Sequence, residues 1–188
     1  METLELKKVS VSEFRQMLFD DDDTNYYEII NGEMVKRTAP TLSHQRLLKK
    51  LLMRLEPFCI EKKLGEMHIA PTDVFFDKYN QTQPDLIFVA DSNKSILSSD
   101  ISIEGIPDLL VEIISPSSVI RDRIDKKNLY ERMKVPEYWL VDPQYEEFEI
   151  YVLSENKYEL FSAATTMEGE FKSKVFEGLT LNLIEIFA

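Results

Sequence analysis

Two carboxylates stand where a soluble chain rarely leaves a charge. Glu112 lies inside Asp108-Leu109-Leu110-Val111-Glu112-Ile113-Ile114, an otherwise apolar run of leucine and β-branched residues that reads as a strand covered on both faces. An ionised carboxylate there is costly unless a cation, a proton or strong donors face it. Asp85 opens a second such run, Leu86-Ile87-Phe88-Val89, directly after Gln83-Pro84. If the two strands are neighbours, both acids converge on one cation, expected to be Mg2+ or Mn2+; such ions are held by a few carboxylates with waters and phosphate oxygens completing the shell. That chemistry suits phosphodiester hydrolysis, because the metal polarises the phosphoryl group and lowers the pKa of an attacking water. Each acid also has an ordinary reading: Asp85 as a turn or capping residue, Glu112 as half of a buried ion pair.

Lys126 adds a cation. At about 100° per residue it shares a helix stripe with Leu129, Tyr130 and Met133, while Lys127 points the other way, beside Ile124 and Glu131, and reads as exposed. Next to a metal, the Lys126 ammonium could hold the attacking water or stabilise charge on phosphoryl oxygens. Its alternative is a snorkelling pair with Asp122, one turn earlier. Tyr130, His44 and Glu33 are supporting candidates. His44 shares the apolar face of an earlier helix, and Glu33 follows a hairpin turn; both residue types more often satisfy a backbone group or face water in such places. Arg46, Lys49 and Lys50, with Arg54, form a basic helix face that could contact phosphates, although a solvated face is the default.

The elements that must position these groups can be read from periodicity. A short helix is expected over residues 11–18, then a solvated loop at the acidic run 20–23. Asn31-Gly32 between two apolar segments predicts a hairpin with a two-residue type I′ turn. Leucines at 47, 48, 51, 52 and 55 predict an amphipathic helix from Thr41, which Pro57 should kink or end. Residues 67–76 and 85–90 read as strands joined by a polar linker over 78–83, and 91–102 as a loop. Residues 108–114 form the central strand. Ser115-Pro116-Ser117-Ser118 supplies capping hydroxyls for a helix over 119–133. Short strands at 138–141, 148–153 and 158–161 suggest a β-meander, and 179–187 a strand end or a short helix.

Composition sets the limits. With 188 residues and 44% hydrophobic content, one domain over 1–188 is expected. The single cysteine, Cys59, excludes an internal disulfide, and with two histidines no Cys/His zinc cluster can form, so any metal must be held mainly by oxygen. No targeting signal or membrane-length apolar run is visible, which points to a soluble, cytoplasmic protein. A formal charge of -12 works against broad attraction to a polyanion such as DNA.

The ordered pieces Tyr27-Glu28-Ile29-Ile30-Asn31-Gly32-Glu33, Ala39-Pro40 with His44, Gln83-Pro84-Asp85, Val111-Glu112-Ile113-Ile114-Ser115-Pro116-Ser117, Asp122 with Lys126 and Tyr130, and Val135-Pro136-Glu137-Tyr138-Trp139-Leu140-Val141-Asp142-Pro143 resemble the Uma-two family of proposed restriction endonucleases, within the PD-(D/E)xK nuclease superfamily. The resemblance spans about residues 26–153. It implies an α/β fold with a mixed (α+β) sheet, a restriction-endonuclease-like core with flanking helices and the meander, and a catalytic set of Asp85, Glu112 and Lys126. The superfamily's lysine normally lies two residues after the Glu, where this chain has Ile114, so Lys126 must reach the site from the adjoining helix. The expectation is a Mg2+-dependent endonuclease acting on DNA. The alternatives are an inactive nuclease-fold module for binding or assembly, and a hydrolase of small phosphoesters. Exposed aromatics in the meander make a homodimer contact conceivable, although aromatics in short strands are more often core.

Overall fold

Asn31 and Gly32 close the first hairpin with positive φ at both residues, 56° and 81°, the requirement of the primed turn their types predict. A Cβ at Gly32 would also meet Lys8 Cβ at 2.7 Å, so the position needs glycine twice over. The computed structural model describes residues 8–17, 26–37, 39–98 and 100–188. In chain order the elements are α1 (Val11–Phe14), β1 (Tyr26–Ile30), β2 (Glu33–Arg37), α2 (Leu42–Lys62), β3 (Gly65–Ile69), β4 (Asp73–Asp77), β5 (Asn80–Thr82) and β6 (Leu86–Ala90). A 3-10 turn (Asp91–Leu97), β7 (Ser102–Glu104) and β8 (Leu109–Ile113) follow. The chain then forms a π-helical segment (Arg121–Lys126) running into α3 (Lys127–Met133), the meander β9 (Glu137–Asp142), β10 (Glu147–Ser154) and β11 (Lys157–Thr165), and α4 (Leu183–Phe187).

The strands make two mixed sheets, where one was expected. One has the order β2-β1-β5-β4-β7, the other β11-β10-β9-β8-β6-β3. The alternation of side chains across the larger sheet explains its two cores. Leu86, Phe88, Leu109, Val111, Ile113, Trp139 and Val141 pack with the leucines of α2 and the C-terminal Phe176, Leu183 and Ile186. On the other face Ile87, Val89, Leu110, Ile114, Tyr138 and Leu140 pack with Val74 and Ile30 of the smaller sheet and with Leu129 and Tyr130 of α3. Each such side chain, fully buried, stabilises the fold by roughly 1.5–3 kcal/mol relative to exposure.

Several expectations need correction. Residues 67–76 are two strands, β3 and β4, in different sheets, divided at Ala70-Pro71. The polar linker 78–83 contains a buried strand, β5, and the loop 91–102 contains the 3-10 turn and the start of β7. Pro57 does not end α2: it lies on the solvent side, as does Met53 one turn earlier, so the carbonyl deprived of its N–H partner is one that water can satisfy. The second long helix is not uniformly α: its π-helical turn alters the phase, and Lys127, expected in solvent, lies half-buried with its ammonium 3.5 Å from the centre of the Tyr151 ring. The helix at 11–18 is described only as Val11–Phe14; the acidic run 20–23 lies outside the described residues. The hairpin, the central strand, the meander and a short helix within 179–187 are found. No helix among the described residues is long and apolar enough to cross a membrane.

Candidate active site

The register of β6 on β8 decides where the two acids meet. Leu86 pairs with Val111, so Asp85, one residue before, stands across from Glu112. Alternation then turns both toward the seam between the sheets, and Glu112 takes an inward position between Leu110 and Ile114 that an apolar residue would otherwise fill. Glu112 is 1% exposed; its Oε1 accepts from Lys126 Nζ at 2.8 Å and from Tyr130 Oη at 2.7 Å. The same ammonium lies 2.9 Å from Oε1 of Glu28, which arrives from β1 in the other sheet, and 3.9 Å from Asp122 Oδ1. Glu28 Oε1 also accepts from the Gln83 N–H at 2.8 Å, fixing the turn that leads into Asp85. Asp85 Oδ2 accepts from the Ile113 N–H at 2.8 Å and lies 3.0 Å from His44 Nε2. Its Oδ1 accepts from Arg37 at 3.2 Å, and Arg37 also donates to the Gln83 carbonyl and stands 3.7 Å from Glu28.

His44 is placed by α2, whose N-cap Thr41 accepts from the His44 N–H at 3.2 Å. Lys126 ends the π-helical segment, in which it and Asp122, one turn earlier, are the two buried side chains. Ser118 folds the preceding turn by accepting from the Ser115 N–H at 2.9 Å.

Charge does not balance in this cluster. Glu28, Asp85, Glu112 and Asp122, all buried, face two permanent cations, Arg37 and Lys126. Burial pushes the Glu112 carboxyl up to about 8; Lys126 opposes the rise, and the charges of Asp85 and Asp122 add to it. Burial raises Asp122 as well. Asp85 goes the other way: burial acts to raise it, but the hydrogen bond to His44 and the charges of Arg37 and Lys126 outweigh that and hold it below the ordinary carboxylate value. For Lys126, burial works against the charged form, and Glu112 and Glu28 more than compensate, so the ammonium is retained. Glu112 is therefore able to hold a proton near neutral pH, and a cation arriving there would displace it.

The donor set suits a divalent cation. Glu28, Asp85 and Glu112 offer carboxylate oxygens of the kind Mg2+ and Mn2+ take, the cluster carries surplus negative charge, and Glu28 Oε2 is buried without a hydrogen-bond partner. The resting arrangement is closed by its own cations, and among the described residues no three His, Cys, Asp or Glu side chains are grouped to enclose an ion. Two openings reach the cluster. One, of ≈160 Å³, is lined by Arg37, His44, Ser115, Ser118, Arg121 and Asp122; the other, of ≈230 Å³, by Tyr26, Arg37, Gln83 and Asp85 among others.

Asp85, Glu112, Lys126, Tyr130 and His44, singled out in the sequence, are thus brought together. Lys126 reaches Glu112 while Ile114 is core. Glu33 is not in the cluster: it faces solvent beside the hairpin turn. Arg46 and Lys49 are exposed, while Lys50 donates to the Glu185 carbonyl at 3.1 Å and Arg54 pairs with Glu185 at 2.5 Å, so the last two lean on α4 and not on the acid cluster. Glu28, Arg37 and Asp122 were missed. Glu28 carries the signal that revealed Glu112, an acid inside the apolar run Tyr27-Glu28-Ile29-Ile30; Asp122 was weighed only as a partner of Lys126, and Arg37 at a strand end has no signal.

A family model described as "Putative restriction endonuclease", Uma2, matches residues 11–183. Among solved structures, one similar in fold is a crystal structure of a "putative nuclease belonging to DUF820" from Anabaena variabilis, with a TM-score of 0.76 over 95% of this chain and 97% of that one at 16% identity. No curated protein matches significantly. At that identity the structural likeness speaks for the fold, and the family model spans both sheets and every member of the acid cluster: the chain belongs to the Uma2 family.

Proposed function

We propose that this chain is a Mg2+- or Mn2+-dependent endonuclease that hydrolyses DNA phosphodiester bonds. The observation that carries the reading is the buried Glu112–Lys126 pair, with a 2.8 Å contact, set among more carboxylates than its cations can neutralise. Asp85 and Glu112, with Glu28 within reach, would hold the metal, which supplies polarisation of the phosphoryl group and activation of a water. Lys126 keeps its charge at working pH and would donate to the attacking water or to the phosphoryl oxygens. Tyr130, pushed well above its ordinary pKa mainly by burial, stays protonated and fixes Glu112 Oε1. His44 and the Ile113 N–H fix Asp85 Oδ2. Membership of a family whose description reads "Putative restriction endonuclease" supports the substrate class.

The test is nicking of supercoiled plasmid at low salt with Mg2+ or Mn2+, using wild type, Asp85→Ala, Glu112→Ala and Lys126→Ala prepared identically. Nicking by wild type and its loss in all three variants is the expected outcome. Wild-type activity no greater than that of the variants would remove DNA as the substrate.

A second reading, a nuclease fold that binds or assembles without turnover, is favoured by the closed state of the cluster and the formal charge of -12. Metal binding without cleavage of plasmid or of a model phosphodiester selects it; cleavage of the model diester alone selects a small-phosphoester hydrolase.

A further inference from the structure

Arg37 differs from Lys126, the cluster's other permanent cation. The Lys126 side chain is 1% exposed and is wedged between Glu112 and Glu28, whereas that of Arg37 is 19% exposed and lines both openings beside the cluster. Its guanidinium touches Asp85 Oδ1 at 3.2 Å and approaches Glu28 Oε1 at 3.7 Å, joining acids that come from opposite sides of the seam between the sheets. A cation bridging two carboxylates holds the place a divalent ion would take, so side chain and ion compete for the same oxygens. Arg37 is already partly solvated, and open space lies on either side of it; Lys126 has neither. A guanidinium also pairs with a phosphate as readily as with a carboxylate, through two parallel N–H donors.

We propose that Arg37 is a displaceable internal cation. It neutralises Asp85 and Glu28 in the resting protein, leaves them when a divalent ion binds, and turns into the adjoining openings to take a phosphate of the substrate. Only this last step rests on the nuclease reading; the competition with the ion stands without turnover.

The experiment titrates Mn2+ calorimetrically into wild type, Arg37→Ala and Arg37→Lys. It also measures the affinity of each for a labelled DNA duplex in Ca2+ by fluorescence anisotropy. If the resting guanidinium occupies the acids about nine-tenths of the time, its removal tightens Mn2+ binding roughly tenfold in Arg37→Ala. Arg37→Lys, which keeps a charge but not the fork, falls between. Arg37→Ala leaves two buried carboxylates short of a partner and can unfold without metal, so melting is followed with and without Mn2+; the variant should gain more from Mn2+ than wild type does. Duplex affinity should fall about tenfold in Arg37→Ala, a loss of one bidentate phosphate contact. Mn2+ binding by Arg37→Ala that is equal to or weaker than wild type overturns the competition with the ion, and unchanged duplex affinity overturns the phosphate step. A wild type that binds no duplex overturns the phosphate step and the nuclease reading together, and leaves the Mn2+ comparison to judge the competition.

Discussion

Glu112 and Glu137 are the same residue type on adjacent parallel strands, and each is 1% exposed. Their surroundings differ in kind. Glu137 accepts from Trp139 Nε1 at 2.5 Å and Ser173 Oγ at 2.6 Å on one oxygen, and from the N–H groups of Lys174 and Val175 at 2.8 and 2.9 Å on the other. Every donor is neutral, no second acid among the described residues shares them, and the contacts tie the C-terminal segment to β9. Glu112 must share one ammonium with Glu28, and it lies close to Asp85 and Asp122. A buried carboxylate whose oxygens are filled by neutral donors is a structural anchor. One placed among surplus carboxylates is pushed toward its protonated form, and in the proposed reading it is the one a cation would take.

Removing each group separates the two roles. Glu137→Ala leaves several buried donors unpaired at once, so the largest stability loss is expected there, about 3–5 kcal/mol by urea unfolding; a loss below about 1 kcal/mol would erase the distinction. Lys126→Met leaves Glu112 and Glu28 without their ammonium. Its cost without metal is expected to be about 3 kcal/mol, and smaller with Mn2+ present; an equal cost in both conditions would speak against a cation site.

For Glu112 the sign of the pH dependence is informative. Its folded pKa of about 8 lies above the ordinary 4.5, so its contribution to stability is fully present below about 4.5 and is lost as the pH rises through 8. Glu112→Gln should therefore leave stability near pH 7 within about 1 kcal/mol of wild type and flatten the decline between pH 5 and 9 in urea unfolding. A parallel decline in both proteins would assign it elsewhere. The smallest effect is expected at Lys49, exposed on α2: Lys49→Ala should change stability by less than about 0.5 kcal/mol and leave plasmid nicking intact. A clear loss of nicking would return the basic face to the substrate path.

The part of this contrast legible in the sequence was the acid in the wrong place. Glu112 announces itself because a charge interrupts an apolar strand, Asp85 because it stands at the head of another, and Glu28 carried the first signal less conspicuously behind two tyrosines. Arg37 could not be found that way: its role comes from a contact with Asp85, 48 residues on, which only the packing of the two sheets creates. The fold was readable where periodicity and turn chemistry agree, as in the Asn31-Gly32 hairpin and the apolar strand around Val111. It was unreadable at β5, where buried Asn80 and Thr82 look like a linker; their burial is made tolerable by hydrogen bonds to Asp77 and Tyr130. The π-helical turn at 121–126 likewise leaves no mark on a helical wheel, whereas the wheel's stripe of Lys126, Leu129 and Tyr130 is the buried face that carries Lys126 to Glu112.

The most direct measurement is the heat of Mn2+ binding to wild type and Glu112→Ala across pH 6 to 9. The expected result is binding by wild type alone, with affinity rising about tenfold per pH unit until the Glu112 proton is lost near pH 8 and then levelling off. Equal binding by Glu112→Ala, or none by wild type at any pH, would contradict a metal-holding role for this carboxylate.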